Sequence, residues 1–277
     1  MVLRFQRLDV AALAGVLAVL ASPALSQEFT VAAPAFHMPT AAFALSVECR
    51  SKRIAADKPH PLRSLSRAVW SKPHVKVLAI GSSSTVGLGA SSPTATYVAR
   101  LEPTLEGALR GIDFDVVGRG MSGEEAQGAA DRMRKEVEDA KPDLVVWQVG
   151  TNDALRHVDL DKFKNCLKTT LRWLKDAGID VVLINPQYGE ALVKDGYYEQ
   201  VVGAIADVAR PTGVLMVDRF DAMRELQRER GDRYYLSADS LHMNDVGYRC
   251  MAEQLARVVV GGLVQSDAEQ QHPLFYP

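Results

Sequence analysis

The stretch Val75-Lys76-Val77-Leu78-Ala79-Ile80-Gly81-Ser82-Ser83-Ser84-Thr85-Val86-Gly87 decides how the chain is read. Its first six residues are mostly apolar and rich in β-branched side chains, and a glycine stops them. That is the signature of a short strand buried on both faces, followed by a turn. Comparable runs recur at residues 114–117, 144–149, 181–184 and 214–217. Between and after them lie helix-length segments at 96–109, 124–140, 160–177, 197–210, 220–230 and 245–263. Phe163, Leu167, Leu171 and Leu174 show the three- and four-residue spacing of an amphipathic helix. Doubly apolar strands alternating with such helices predict a parallel sheet covered on both sides. The expectation is a three-layer α/β/α sandwich with five parallel strands and a flavodoxin-like outline. In such sheets ligands bind beyond the carboxyl ends of the strands, so chemistry should gather in the loops that follow them.

Outward from this core the chain divides into four stretches. Arg4 and Arg7 precede a short apolar run at 10–20, then the small-residue pattern Ala24-Leu25-Ser26. That order predicts a secretory signal peptide over residues 1–26, cut before Gln27, because the run is shorter than the roughly 20 residues that span a bilayer. Residues 27–74 read as an irregular, proline-punctuated extension with one short helix near 62–70. The α/β domain occupies 75–265, and 266–277 form a tail. The expected location is therefore secreted or periplasmic, with no stable membrane insertion after cleavage.

The formal net charge of −2 gives no electrostatic reason for a nucleic-acid or anionic-membrane partner. None of the three cysteines, Cys49, Cys166 and Cys250, forms a C-x-x-C pair, which leaves zinc and thioredoxin-type chemistry without support. In an oxidising compartment one disulfide plus one free thiol is the natural arithmetic. A Cys49–Cys250 bridge would staple the extension to the last helix, although spacing alone does not settle connectivity.

Four loops carry reactive side chains. Ser83 follows the first strand, where a hydroxyl precedes helix N–H groups that favour an anion. Gly118-Arg119-Gly120-Met121-Ser122-Gly123 follows the second, and Gly123 could offer a bare backbone N–H to a reacting oxygen. Gly150-Thr151-Asn152-Asp153 follows the third and supplies an amide donor in Asn152. Asp239-Ser240-Leu241-His242 comes after the last strand, and the spacing lets Asp239 hold one imidazole nitrogen while the other faces a nucleophile. Each element alone has an ordinary reading as turn, cap or surface pair. Together they supply nucleophile, oxyanion donors, base and orienting acid on one sheet edge.

This constellation resembles the SGNH hydrolases, the GDSL-like esterase/lipase family, over residues 75–263. The resemblance implies the SGNH hydrolase fold, with Ser83, Asp239 and His242 as catalytic residues and Ser83, Gly123 and Asn152 as the oxyanion hole. It departs at Ser82, where the family's Gly-Asp-Ser carries its acid, and at Gly118, where an Asn is usual. No metal or organic cofactor is implied. Export and the absence of a long apolar lid favour short acyl groups, such as O-acetyl groups on carbohydrate, as substrate. Arg156, His157, Gln187 and Tyr188 follow strand ends and are candidates to line the pocket, with an ordinary loop role as the competing reading. An O-acyltransferase acting on cell-envelope polysaccharide, a lipase- or thioesterase-like acylhydrolase, and a non-catalytic carbohydrate-binding module remain as alternatives. Oligomeric state is open.

Overall fold

The computed structural model describes residues 43–50, 60–231 and 234–271. The expected signal peptide at 1–26 lies outside the described residues, as do residues 27–42 and 51–59 of the extension and the end of the tail. Among the described residues, no helix is long and apolar enough to cross a membrane.

Five strands form one sheet: β1 (His74–Gly81), β2 (Asp113–Gly120), β3 (Leu144–Gln148), β4 (Asp180–Ile184) and β5 (Leu215–Val217). All pairings are parallel and the order is 2-1-3-4-5. The helices are α1 (Arg63–Ser71), α2 (Ser83–Val86), α3 (Tyr97–Ala108), α4 (Ala126–Ala140), α5 (Thr151–Leu155), α6 (Leu160–Asp176), α7 (Gly196–Thr212), α8 (Arg219–Arg230) and α9 (Asp245–Gln271).

Side chains along a strand alternate between faces, and β1 shows what this achieves. Val75, Val77 and Ala79 join a core with Leu65 of α1, Leu101 and Leu105 of α3, and Leu255 and Val259 of α9. Leu78 and Ile80 point the other way, toward Met133 of α4, Phe163, Leu167 and Leu171 of α6, and Val201 and Ile205 of α7. The helices on each face explain why both faces of a strand had to be apolar. Local signals start them: Thr96 accepts the Ala99 N–H at 3.2 Å, and Asp159 accepts the Lys162 N–H at 2.9 Å.

Three boundaries differ from the sequence reading. β2 continues through Gly118, Arg119 and Gly120, which pair with Ala79, Ile80 and Gly81 rather than forming a loop. Glycine is required at the strand's end because a Cβ on Gly120 would lie 2.4 Å from the Val86 amide nitrogen. The turns after β1 and β3 are short helices, α2 and α5. Finally, α9 runs to Gln271, so the expected tail begins as helix.

The described part of the extension packs against α9 and the sheet. Leu45, Cys49, Leu62, Leu65 and Val69 are buried in the core that contains Leu255, Val259 and Leu263 of α9. Cys49 and Cys250 form a disulfide, and Cys166 is a free, buried thiol. The carbonyl of Glu48 accepts hydrogen bonds from Arg230 Nη1 at 2.6 Å and Tyr235 Oη at 2.9 Å. Glu48 thereby holds Arg230, the end of α8, and Tyr235, both of which precede Asp239 and His242 in the chain.

Candidate active site

β1 delivers Ser83 to the carboxyl edge of the sheet as the first residue of α2. The turn beneath it is braced by Gln148, the last residue of β3. Gln148 Oε1 accepts from the Ser82 N–H at 2.9 Å and the Ser82 hydroxyl at 3.0 Å. Thr85 in turn shares a hydrogen bond with Tyr97 Oη at 2.9 Å. A neutral Ser–Gln pair therefore holds the turn at the position where the family pattern places an aspartate.

His242 Nε2 lies 3.0 Å from Ser83 Oγ, and His242 Nδ1 lies 2.6 Å from Asp239 Oδ2. The other carboxylate oxygen, Oδ1, accepts from Ser237 Oγ at 2.7 Å, the His242 N–H at 2.9 Å and the Leu241 N–H at 3.0 Å. Burial pushes the Asp239 carboxyl up, but the hydrogen bond from His242 and these neighbouring donors outweigh it and hold the group well below the usual carboxylate range. An acid so firmly ionised fixes the imidazole tautomer that leaves Nε2 free to accept a proton. Ser237 was not among the residues singled out from sequence, although a hydroxyl two residues before a carboxylate is a recognisable local signal.

The loop after β2 is clamped to α4 and α5. Arg132 grips Glu124 with two hydrogen bonds of 2.7 Å and donates to the Arg119 carbonyl at 2.8 Å. Gly123 adopts φ of +76°, a conformation that favours glycine. Asn152 Nδ2 donates to the Glu124 carbonyl at 2.8 Å, which ties the third loop to the second. An amide carries two N–H groups, so one is left for a ligand. Asp153 is buried and accepts the Ala126 N–H at 2.9 Å, so the start of α4 hangs from α5. Burial pushes the Asp153 carboxyl up to about 6 against the pull of that N–H.

The four pocket candidates part company. Arg156 bends over Gly123, donating to its carbonyl and to Glu125 Oε1 at 2.8 Å each, which puts a guanidinium at the rim. His157 is exposed, pairs with Asp195 at 2.5 Å and stacks on Tyr197 with ring centroids 4.6 Å apart. Gln187 is buried, and its amide is taken up by three neighbouring groups. Its Oε1 accepts from Thr151 Oγ1 and Arg219 Nη2 at 2.9 Å each, and its Nε2 donates to the Leu241 carbonyl at 3.0 Å. Tyr188 is half-buried, with its ring edge-on to Phe220. Sequence reasoning passed over Arg219, since an arginine in the first turn of a helix normally faces solvent.

Residues 48–265 match the model of the non-GDSL lipase-like family. Among curated proteins, esterase TesA of Pseudomonas aeruginosa is 29% identical over 134 residues, 47% of this chain and 64% of the relative. The chain thus spans slightly under two thirds of that relative. The acetylxylan esterase of Geobacillus stearothermophilus is 26% identical over 176 residues, 59% of this chain and 80% of the relative. Among solved structures, a lipase/acylhydrolase from Enterococcus faecalis superimposes with a TM-score of 0.59 at 25% identity, covering 68% of this chain and 96% of that one. The five-stranded parallel sandwich is therefore the SGNH hydrolase fold that the sequence led one to expect.

Proposed function

The chain belongs to the non-GDSL lipase-like family, and we propose that it is an exported serine esterase using Ser83, His242 and Asp239 as its triad. The observation that carries this reading is the continuous line of hydrogen bonds from Ser83 Oγ through the imidazole to Asp239. As Ser83 Oγ attacks the ester carbonyl, its proton passes to His242 Nε2. The tetrahedral oxyanion takes hydrogen bonds from the Ser83 and Gly123 N–H groups and the free Asn152 N–H, each contributing roughly 2.7–4 kcal/mol to lowering the barrier. Collapse breaks the bond to the alcohol oxygen, which leaves with the proton from Nε2. Water then gives a proton to Nε2 as its oxygen attacks the acyl-enzyme, and the acid departs as Ser83 recovers its proton.

Short acyl groups, with O-acetylated carbohydrate as the leading class, are the proposed substrate. The relative that acts on acetylxylan supports this choice. A longer acyl chain is the second reading, and one observation favours it. Val86, Met121 and Leu155 are large exposed apolar side chains on three of the loops around Ser83. Rates for p-nitrophenyl esters from acetate to palmitate, with wild type and Ser83→Ala, test both. The expected result is a maximum at acetate that Ser83→Ala abolishes. A maximum at long chains selects the second reading, and unchanged turnover in the variant overturns the triad.

A further inference from the structure

Arg219 is 1% exposed, yet among the described residues no carboxylate lies within ion-pair distance of it. Buried charges are normally paired, and an apolar side chain would fill such a site at lower cost. Burial pulls the guanidinium down to about 10, with Tyr198, Tyr248 and Tyr97 nearby, so it remains a cation at neutral pH. Its partners are all neutral: the Asn185 carbonyl from Nε at 2.9 Å, Ser84 Oγ from Nη1 at 3.3 Å and Gln187 Oε1 from Nη2 at 2.9 Å. The sulfur atoms of Met251 and Met243 lie 3.7 and 4.0 Å from Nη1.

The arrangement of these contacts is what gives the buried charge a purpose. Ser84 follows the nucleophile Ser83. Thr151, which shares Gln187 Oε1, precedes Asn152. Leu241, whose carbonyl takes the Gln187 amide, precedes His242, and Met243 follows it. Every loop that presents a proposed reacting side chain, apart from that of Gly123, is held one residue away by the same two side chains. Among the described residues, no backbone hydrogen bond joins these three loops to one another.

We propose that Arg219, acting with Gln187, is the positioning residue of the site, setting the nucleophile turn, the Asn152 donor and the base loop in mutual register. The inference rests on the esterase reading. An extended fork reaches three separated acceptors from three different nitrogens, whereas lysine has a single nitrogen to donate from and an apolar side chain none. Arg219 touches neither Ser83 nor His242, so its effect must appear in the rate of the chemical steps rather than in ester binding.

The test uses the full mature chain with p-nitrophenyl acetate, and titrates active sites with a fluorophosphonate that labels Ser83. Arg219→Met is expected to keep its melting temperature within a few degrees, since it removes an unpaired buried charge. It should nevertheless lose at least about tenfold in kcat per titrated site, with KM changed less than about threefold. Arg219→Lys is expected to fall between wild type and Arg219→Met. A folded Arg219→Met with wild-type kcat per site overturns the proposal, as does loss confined to the fraction of active sites. Should Arg219→Met fail to fold, folded Arg219→Lys and Gln187→Met carry the test, and wild-type kcat in both overturns it. Wild-type protein that cleaves no ester would overturn the esterase reading and this inference with it, whereas an active wild type with indifferent variants removes the positioning role alone.

Discussion

Opening the Cys49–Cys250 bridge should cost this domain a large share of its stability. The two cysteines are 201 residues apart. In the chain-entropy description, releasing a loop of that length returns about 18 cal/mol/K to the unfolded chain, or about 5 kcal/mol at 25 °C. Native contacts that do not need the bridge partly hold the extension in place. These are Ser46 N–H to Glu253 at 2.8 Å and the grip of Arg230 and Tyr235 on the Glu48 carbonyl. The expected loss is therefore about 2–5 kcal/mol, the usual range for a native disulfide. For a domain of this size it corresponds to a fall in Tm of roughly 4–20 °C. The assay is urea unfolding followed by circular dichroism, comparing wild type with and without a phosphine reductant and the Cys49→Ser/Cys250→Ser double variant. Reductant should lower the wild-type midpoint to near that of the double variant and leave the latter unmoved, because the remaining thiol, Cys166, is unpaired. Coincident midpoints for oxidised and reduced wild type would refute the reasoning, as would three titratable thiols in the unreduced, denatured protein.

Two further outcomes follow from the site. Asn152→Ala should lower kcat for acetate esters by about 10²–10³-fold. A loss under about fivefold would remove Asn152 from the oxyanion hole. Asp153, raised to about 6 by burial, contributes stability that is present below pH 4 and lost as pH climbs through 6. Relative to Asp153→Asn, the wild type should lose roughly 2–3 kcal/mol between pH 4 and pH 7, at 1.36 kcal/mol per tenfold change in proton affinity. Urea midpoints across that range check it, and a gap that does not vary with pH would show that Asp153 is not so perturbed.

The fold was legible because the central strands β3 and β4, and most of β1, are apolar on both faces, as a sheet covered by helices on both sides requires. Asp239 and His242 were legible because they lie three positions apart in one short turn, so their geometry is local. What escaped was whatever depends on the third dimension. Gly118 and Gly120 read as a loop because glycine weakens a strand, yet the backbone of α2 packs against the strand end and leaves no room for a side chain there. Gln187 read as a pocket residue because it follows a strand. It turned inward because α5, α8 and the loop before His242 present it with a hydroxyl, a guanidinium and a carbonyl. Arg219 carried no signal in the sequence, since its neighbours Asp218 and Asp221 make it look like part of a charged helix end. The departure at Ser82 was visible, but its compensation by Gln148, 66 positions away, was not.

The bridge from Cys49 to Cys250 also makes the peptide between them a closed ring, and Ser83, Gly123, Asn152, Asp239 and His242 all lie inside it. A protease that nicks one exposed loop within the ring leaves a single covalent molecule, whose two pieces part only when the sulfurs are reduced. To shed any of those five residues from the body of the protein, a protease must cut twice.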